Sequence, residues 1–291
     1  MRCQVAEGLS NLGYTERVAC RVAGVSRSCY YEHKFHVPSD RQIRRLILMG
    51  LVADIHKRSR GTYGMLRIRV ALKREYDMVV NKKLVLSIMR ELGIQGLPGP
   101  KKRKKNLVNQ ATEEDLVQRH FTVDRPNVLW LTDITEHPTR EGKVYCCAVL
   151  DAFSRRVVGW AIDRRCETAL VNDALSMASQ SRATTDDKSV IHSDHGSQFT
   201  SWGFSELVRQ HRLLGSMGTV GDCYDNAPME SFWGTMQIEL LNRKKWRTKI
   251  ELSIAIAEWI EHFYNPERLH SSLGYVPPVE FEALHAASVQ A

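Results

Sequence analysis

The stretch Leu129-Trp130-Leu131-Thr132-Asp133-Ile134 decides how this chain reads. Five of its six residues are apolar or β-branched, the composition of a buried strand. The sixth, Asp133, places a carboxylate where a strand core excludes water, and an acid there needs a partner. Outward from this run, the pattern predicts a strand at 128–137, a second at 143–150 and a third at 156–162. Gly142 and Ser154 mark the turns of an antiparallel meander. A helix at 167–181 buries Leu170, Ala174, Leu175 and Ala178. A short buried strand at 189–193, a helix at 204–210 and a strand at 213–217 follow. Helices at 226–241 and 249–264 come next, and 265–268 and 275–278 read as loop. The fold class is therefore α/β, with a mixed five-stranded sheet and flanking helices.

Two further acids share the difficulty of Asp133. Asp194 ends the buried strand Val190-Ile191-His192-Ser193. Glu230 lies one turn into a helix among Met229, Phe232 and Trp233. Two unit charges about 4 Å apart repel by ~4 kcal/mol at an effective dielectric near 20. Three clustered carboxylates would oppose folding, and no Lys or Arg lies within three residues of any of them. A divalent cation resolves the conflict. The donors are hard oxygens without His or Cys pairs, which favours Mg²⁺ or Mn²⁺ over Zn²⁺. Two such ions ~3.5–4 Å apart can hold a scissile phosphate between an attacking and a leaving oxygen. Asp133, Asp194 and Glu230 are thus the candidate catalytic and metal-holding residues. The N-terminal end of its helix favours negative charge at Glu230.

Upstream the grammar is helical. Residues 15–34 read as two short helices around Gly24-Val25-Ser26, with Thr15 and Ser26 as N-caps, a helix-turn-helix pattern. Residues 40–94 predict a second helical unit. Ile43, Leu46, Ile47, Met49, Leu51 and Ile55 form the inward stripe of its first helix. Gly61-Thr62-Tyr63-Gly64 opens a helix at 65–76, and Asn81 caps one at 82–92. The net charge of +8 is uneven: residues 41–105 hold 18 basic and 4 acidic groups, whereas 106–291 hold 18 basic and 25 acidic. A block this basic attracts a polyanion, nucleic acid first. The candidate DNA contacts there are Arg67, Lys73, Lys82 and Lys83, then the run Lys101, Lys102, Arg103, Lys104 and Lys105. That run follows Pro98-Gly99-Pro100 and reads as linker. The expected division is a helix-turn-helix-like segment at 1–39, a helical DNA-binding domain at 40–97, a basic linker at 98–120 and a catalytic domain at 121–285.

Other classes fall away. No stretch approaches the ~18 apolar residues of a membrane helix, and the first residues lack a signal-peptide core. A cytoplasmic, nucleoid-associated location is expected. Seven cysteines without a C-x-x-C pair argue for reduced thiols. Cys20, Cys29, His33 and His36 match no familiar zinc spacing. The one Gly-Lys, Gly142-Lys143, lacks a phosphate loop, so no nucleotide cofactor is expected. Asp151 reads as a turn residue in preference to a fourth metal ligand. Neither His192 nor His195 reads as a general base. Asp222 and Asp225 belong to a glycine-containing loop, and Trp130, Trp160, Trp233 and Trp259 read as core.

Between Asp133 and Asp194 lie 60 residues, and between Asp194 and Glu230 lie 35. The strings around them are Asn127-Val128-Leu129-Trp130-Leu131-Thr132-Asp133-Ile134-Thr135, His192-Ser193-Asp194-His195-Gly196-Ser197-Gln198-Phe199 and Asp225-Asn226-Ala227-Pro228-Met229-Glu230-Ser231-Phe232-Trp233. With them the chain resembles the DDE transposases of the IS-three insertion-sequence group, specifically the second reading frame, with a retroviral-integrase-like core. Gly61-Thr62-Tyr63-Gly64 and Arg268-Leu269-His270-Ser271-Ser272-Leu273-Gly274-Tyr275 resemble the flanks of that family. The resemblance implies an RNase H-like core and a divalent-metal triad. It implies strand cleavage and transfer on double-stranded DNA at element ends and target, by a homo-oligomer on DNA. It also implies a partner from an upstream reading frame, fused by frameshift. One position departs from the pattern: the family carries Lys or Arg seven residues after the glutamate, where this chain has Gln237. Arg243 to Lys245, with Lys244 at their centre, are the candidate substitutes for that charge. The competing readings are an RNase H-like nuclease without strand transfer, or an inactive copy acting as a DNA-binding regulator.

Overall fold

The computed structural model describes residues 1–35, 37–99, 123–182, 189–194, 196–217 and 226–290. The chain begins with three short helices, α1 (Arg2–Asn11), α2 (Glu16–Ala23) and α3 (Arg27–Lys34). α1 was not foreseen from the sequence, whose apolar pattern there is weak. Ala6, Ala19, Cys20 and Tyr30 form a small core of their own. Ser26 caps α3 by accepting from the Cys29 amide at 3.1 Å. Thr15 holds the N-cap position of α2 but makes no side-chain bond there. Cys29 faces Cys3, sulfur to sulfur at 3.6 Å, while Cys20 is buried in the core. Among the described residues no His/Cys/Asp/Glu group that could hold a metal forms; His36 lies outside them.

The second helical unit comprises α4 (Asp40–Arg58), α5 (Met65–Tyr76) and α6 (Lys82–Glu91). Ser39 and Gln42 close a capping box on α4, and Asn81 caps α6. The inward row of α4 is Leu48, Val52 and Ile55, whereas Ile43, Leu46 and Ile47 are exposed. The expected stripe was therefore misplaced over the first two turns. The i, i+4, i+7 row starting at Leu48 is the one that meets α5 and α6. The core of this unit does not close on itself. Leu48, Val52, Ile55, Ile68, Leu72 and Val85 belong to one hydrophobic cluster with residues of the sheet and its covering helices. The expected linker cations 101–105 lie outside the described residues.

The sheet has five strands: β1 (Leu129–Thr139), β2 (Gly142–Asp151), β3 (Val157–Asp163), β4 (Val190–Ser193) and β5 (Leu214–Met217), in the order β3-β2-β1-β4-β5. β1–β2 and β2–β3 are antiparallel, β1–β4 and β4–β5 parallel. This is the RNase H-like arrangement. Side chains alternate between two cores, as strand pleating requires. Trp130, Cys147, Val149 and Val158 meet α7 (Thr168–Ser181) and α8 (Trp202–Gln210). Leu129, Leu131, Ala148 and Leu150 look the other way, toward α9 (Ala227–Glu239) and α10 (Lys249–Trp259).

Gly159 lets α7 lie directly on β3. A Cβ there would stand 2.2 Å from the Ala174 carbonyl oxygen and 2.6 Å from the Ala178 nitrogen, both backbone atoms that cannot turn aside. Gly159→Ala is expected to cost about 3 kcal/mol by overpacking, read as a shift of the urea midpoint at unchanged slope; a shift within error would show that α7 yields freely.

α10 ends in a π-helical turn, Ile260–Tyr264. Residue Asn265 then bonds the Val157 backbone twice, donating to its carbonyl at 3.0 Å and accepting from its amide at 2.9 Å. The segment read as featureless loop is thus a side-chain extension of the sheet. A further helix, α11 (Pro278–Gln290), was not expected beyond it. Pro278 suits a first helical position because the amide it lacks would be unbonded there. Glu282 anchors this helix against Ser154, Arg156 and Arg182. Among the described residues no helix is long and apolar enough to cross a membrane.

Candidate active site

Register alone brings the first two acids together. β1 and β4 are parallel neighbours, with Leu131 opposite His192. Continuing two residues along each strand sets Asp133 beside Asp194. Neighbouring strands lie about 5 Å apart, and residues at one register position share a face. That face carries Leu129 and Leu131 and looks toward α9. Asp133 and Asp194 line one cavity of about 230 Å³, together with Glu136, Tyr145, Cys166 and Gln198.

α9 carries the third acid in its first turn. Two bonds tie its start to β1. Asn226 donates from Nδ2 to the Thr132 carbonyl at 3.1 Å. Trp233, one turn beyond Glu230, donates from Nε1 to Asp133 Oδ2 at 3.0 Å. The other oxygen of Asp133 accepts from the Ile134 amide at 2.7 Å. Asp194 accepts from the Gly196 amide at 3.0 Å, closing a tight turn. Asn226 holds the N-cap position of α9, but its side chain reaches across to the strand instead of capping the helix.

Burial and like charge dominate the electrostatics at Asp133. Asp133 is half-buried, and its carboxyl is pushed up to about 6, first by burial and then by the charges of Asp194 and Glu230. Both influences oppose ionisation, and hydrogen bonds from Ile134 and Trp233 offset them only in part. Asp194 and Glu230 are exposed. Among the described residues no three such side chains already surround a single metal position. Asp133 and Asp194 suit a hard divalent cation, being oxygen donors on one cavity whose like charge a cation would relieve, while Glu230 stands outside that cavity's lining.

Several residues around this centre carry signals the sequence read otherwise. Trp233 was read as core. It is buried, yet its indole N–H is spent on Asp133, as buried Trp N–H groups usually find partners. Trp233→Phe keeps the ring and removes this donor. Cleavage is expected to slow about 10- to 100-fold, the usual cost of losing a group that orients a metal ligand, with the melting temperature nearly unchanged; undiminished cleavage would show the bond to be incidental. Asp151 is fully buried and accepts from the amides of Asn127, Phe153 and Ser154, the turn role expected of it. His192 is buried and bonded through Nδ1 to Ser216 at 3.0 Å. His195, Asp222 and Asp225 lie outside the described residues.

Two integrase core domain families match residues 123–223 and 212–278, and an HTH-like domain family matches residues 43–104. The chain is 37% identical over 273 residues to a putative transposase for insertion sequence element IS986/IS6110 of Mycobacterium tuberculosis, covering 91% of this chain and 98% of that protein. It is 34% identical to the transposase for insertion sequence element IS904 of Lactococcus lactis (84% and 97% covered) and 31% identical to transposase InsF for insertion sequence IS3A of Escherichia coli (92% and 94%).

The chain belongs to the insertion-sequence transposases.

In this transposase the candidate DNA contacts are scattered. Lys73, Lys82 and Lys83 are exposed on α5 and at the start of α6. Gln237 is exposed two turns along α9 from Glu230. Lys244 pairs with Glu251 at 2.6 Å and lies over the Trp246 ring. Arg67 is not on an open face. Its Nε donates to the Leu269 carbonyl at 3.1 Å, and it approaches Glu239 at 3.9 Å. The two flanking motifs meet here. Tyr63 donates to the Glu267 carbonyl at 3.2 Å and accepts from the Leu269 amide at 2.8 Å. They join the helical unit to the catalytic core.

Proposed function

We propose that this transposase cleaves DNA at the ends of its element and transfers the strands, and that Asp133, Asp194 and Glu230 hold the Mg²⁺ or Mn²⁺ ions, two per site, on which that chemistry depends. One observation carries the reading: the parallel β1–β4 register sets two acids side by side beneath the helix that bears the third. Bound divalent ions would polarise the scissile phosphate and lower the pKa of the attacking water or 3′-hydroxyl. The protein supplies orientation. Trp233 and the Ile134 amide fix Asp133, the Gly196 amide fixes Asp194, and Asn226 fixes the start of α9. The reading includes a homo-oligomer assembled on double-stranded DNA, and an upstream-frame partner joined by frameshift.

The test uses the full chain with a labelled element-end duplex in Mg²⁺. Asp194→Asn and Glu230→Gln should each lower cleavage by roughly 10³-fold or more, with circular dichroism and duplex binding in EDTA unchanged. Wild-type cleavage by either variant would sink the assignment. Joined products formed with a target duplex separate strand transfer from simple hydrolysis.

A further inference from the structure

A second and larger depression, about 540 Å³, lies between the helical unit and the catalytic core. One wall is the face of α9 that bears Ser231, Thr235 and Ile238, turned about 100° from Glu230. Arg67 stands on the helical-unit side, and Arg155, Arg268 and His270 complete the lining. Among the described residues that line it, three guanidinium groups therefore face one carboxylate, Glu239. That carboxylate is already engaged by Arg268 in two bonds, at 2.8 and 2.7 Å.

Two of these groups are without a hydrogen-bond partner among the described residues, His270 buried and Arg155 half-buried. The Arg155 guanidinium makes no hydrogen bond or ion pair among the described residues. Its backbone is held at φ 61, where a residue with a Cβ rarely sits. Strain of this kind persists where surrounding structure demands it, and it clusters at ligand sites. His270 is 8% exposed, and its Nε2 is buried with no hydrogen-bond partner among the described residues. Its imidazole is pushed down to about 2 by burial and then by the charges of Arg268, Arg67 and Arg155. Burial likewise lowers Arg155 and Arg67. Among the described residues, three guanidinium groups share this cleft with the Glu239 carboxylate, and Asp151 also acts on Arg155.

We infer that this cleft binds a phosphate group of the DNA strand being processed, with Arg155 as the cation that contacts it. That the phosphate belongs to DNA rests on the function proposed above; the anion site itself rests on the cleft. Ser231 and Thr235 follow Glu230 on the same helix, and Thr235 lies about 7.5 Å farther along its axis. A strand whose scissile phosphate lies at the carboxylates thus has another phosphate within reach of the cleft. The contact would hold the strand beside the acids without touching the reacting atoms.

The experiment measures anisotropy of a labelled duplex oligonucleotide with the full chain in EDTA, across a salt series, with inorganic phosphate as competitor. Arg155→Gln should weaken duplex binding about tenfold and make the log–log salt slope shallower by about one. Arg155→Lys should restore the slope. Ser231→Glu, an exposed helix position, should weaken binding similarly and guards against a folding defect at Arg155. Unchanged affinity and slope in both Arg155→Gln and Ser231→Glu would overturn the inference. An effect confined to inorganic phosphate would overturn the assignment to DNA. Chelation keeps catalysis out of the measurement: loss of cleavage in the carboxylate variants leaves this result standing, and a null result here leaves the carboxylate site standing.

Discussion

Asp133→Asn should abolish cleavage and at the same time stabilise the metal-free protein above pH 6. The catalytic loss, roughly 10³-fold or more, follows from removing a charged oxygen that two ions would share. The gain in stability follows from the raised carboxyl. Its folded value is about 6 against 3.8 for the free side chain. Between these values the folded protein binds more protons than the unfolded chain, so stability falls as pH rises through the window. Above pH 6 the penalty is complete, and it amounts to about 2 kcal/mol after allowance for partial exposure. Asparagine removes it at every pH. One of the N–H groups now facing Asp133, from Ile134 or Trp233, would then meet an amide instead of an oxygen, which trims the gain to about 1 kcal/mol. Urea melts in EDTA should show the variant more stable at pH 8 and no more stable at pH 4. A variant less stable than wild type at pH 8 would refute the like-charge account.

Glu239→Gln should be the most damaging single change in the seam between the two units, costing about 3–5 kcal/mol. Glu239 and Arg268 are both buried, 8% and 6% exposed, in a bidentate pair. Neutralising the acid strands Arg268 beside Arg67 with no opposite charge in contact. Arg268 also packs against the Tyr264 ring, which holds it in place beside Arg67. Replacing both partners with Met removes the stranded charge along with the pair, and most of the stability should return. Urea midpoints of the two variants separate the cases. A double variant no better than Glu239→Gln would show that the site depends on hydrogen-bond geometry more than on charge balance.

The sheet was legible because its signals were local. Alternation and turn residues placed all five strands within a residue or two, and the interruption at Asp133 marked the site. Asp133 was legible as an exception to burial, whereas Asp194 and Glu230, expected to share its difficulty, lie exposed at a strand end and a helix start. Only the parallel β1–β4 register, a long-range fact, puts Asp133 beside Asp194. What escaped was mainly side chains whose partners are remote in sequence. Asn265 completes β3 from 108 residues away, and Trp233 reaches Asp133 across 100. Arg67, read as a DNA contact from its charge, spends its hydrogen bond 202 residues downstream. The stripe of α4 failed for another reason. Its first turns extend beyond the core, so apolar residues there carry no information about the inward face.

The continuity of the core from α4–α6 into the sheet bears on cooperativity. A segment that shares its interior with another cannot melt alone without exposing both, so these parts open and close as one thermodynamic unit. α1–α3, resting on four small or aromatic side chains of their own, fall outside that unit and can be lost first. The helical unit and the strand that bears Asp133 are consequently held at one spacing, as if by a gauge block.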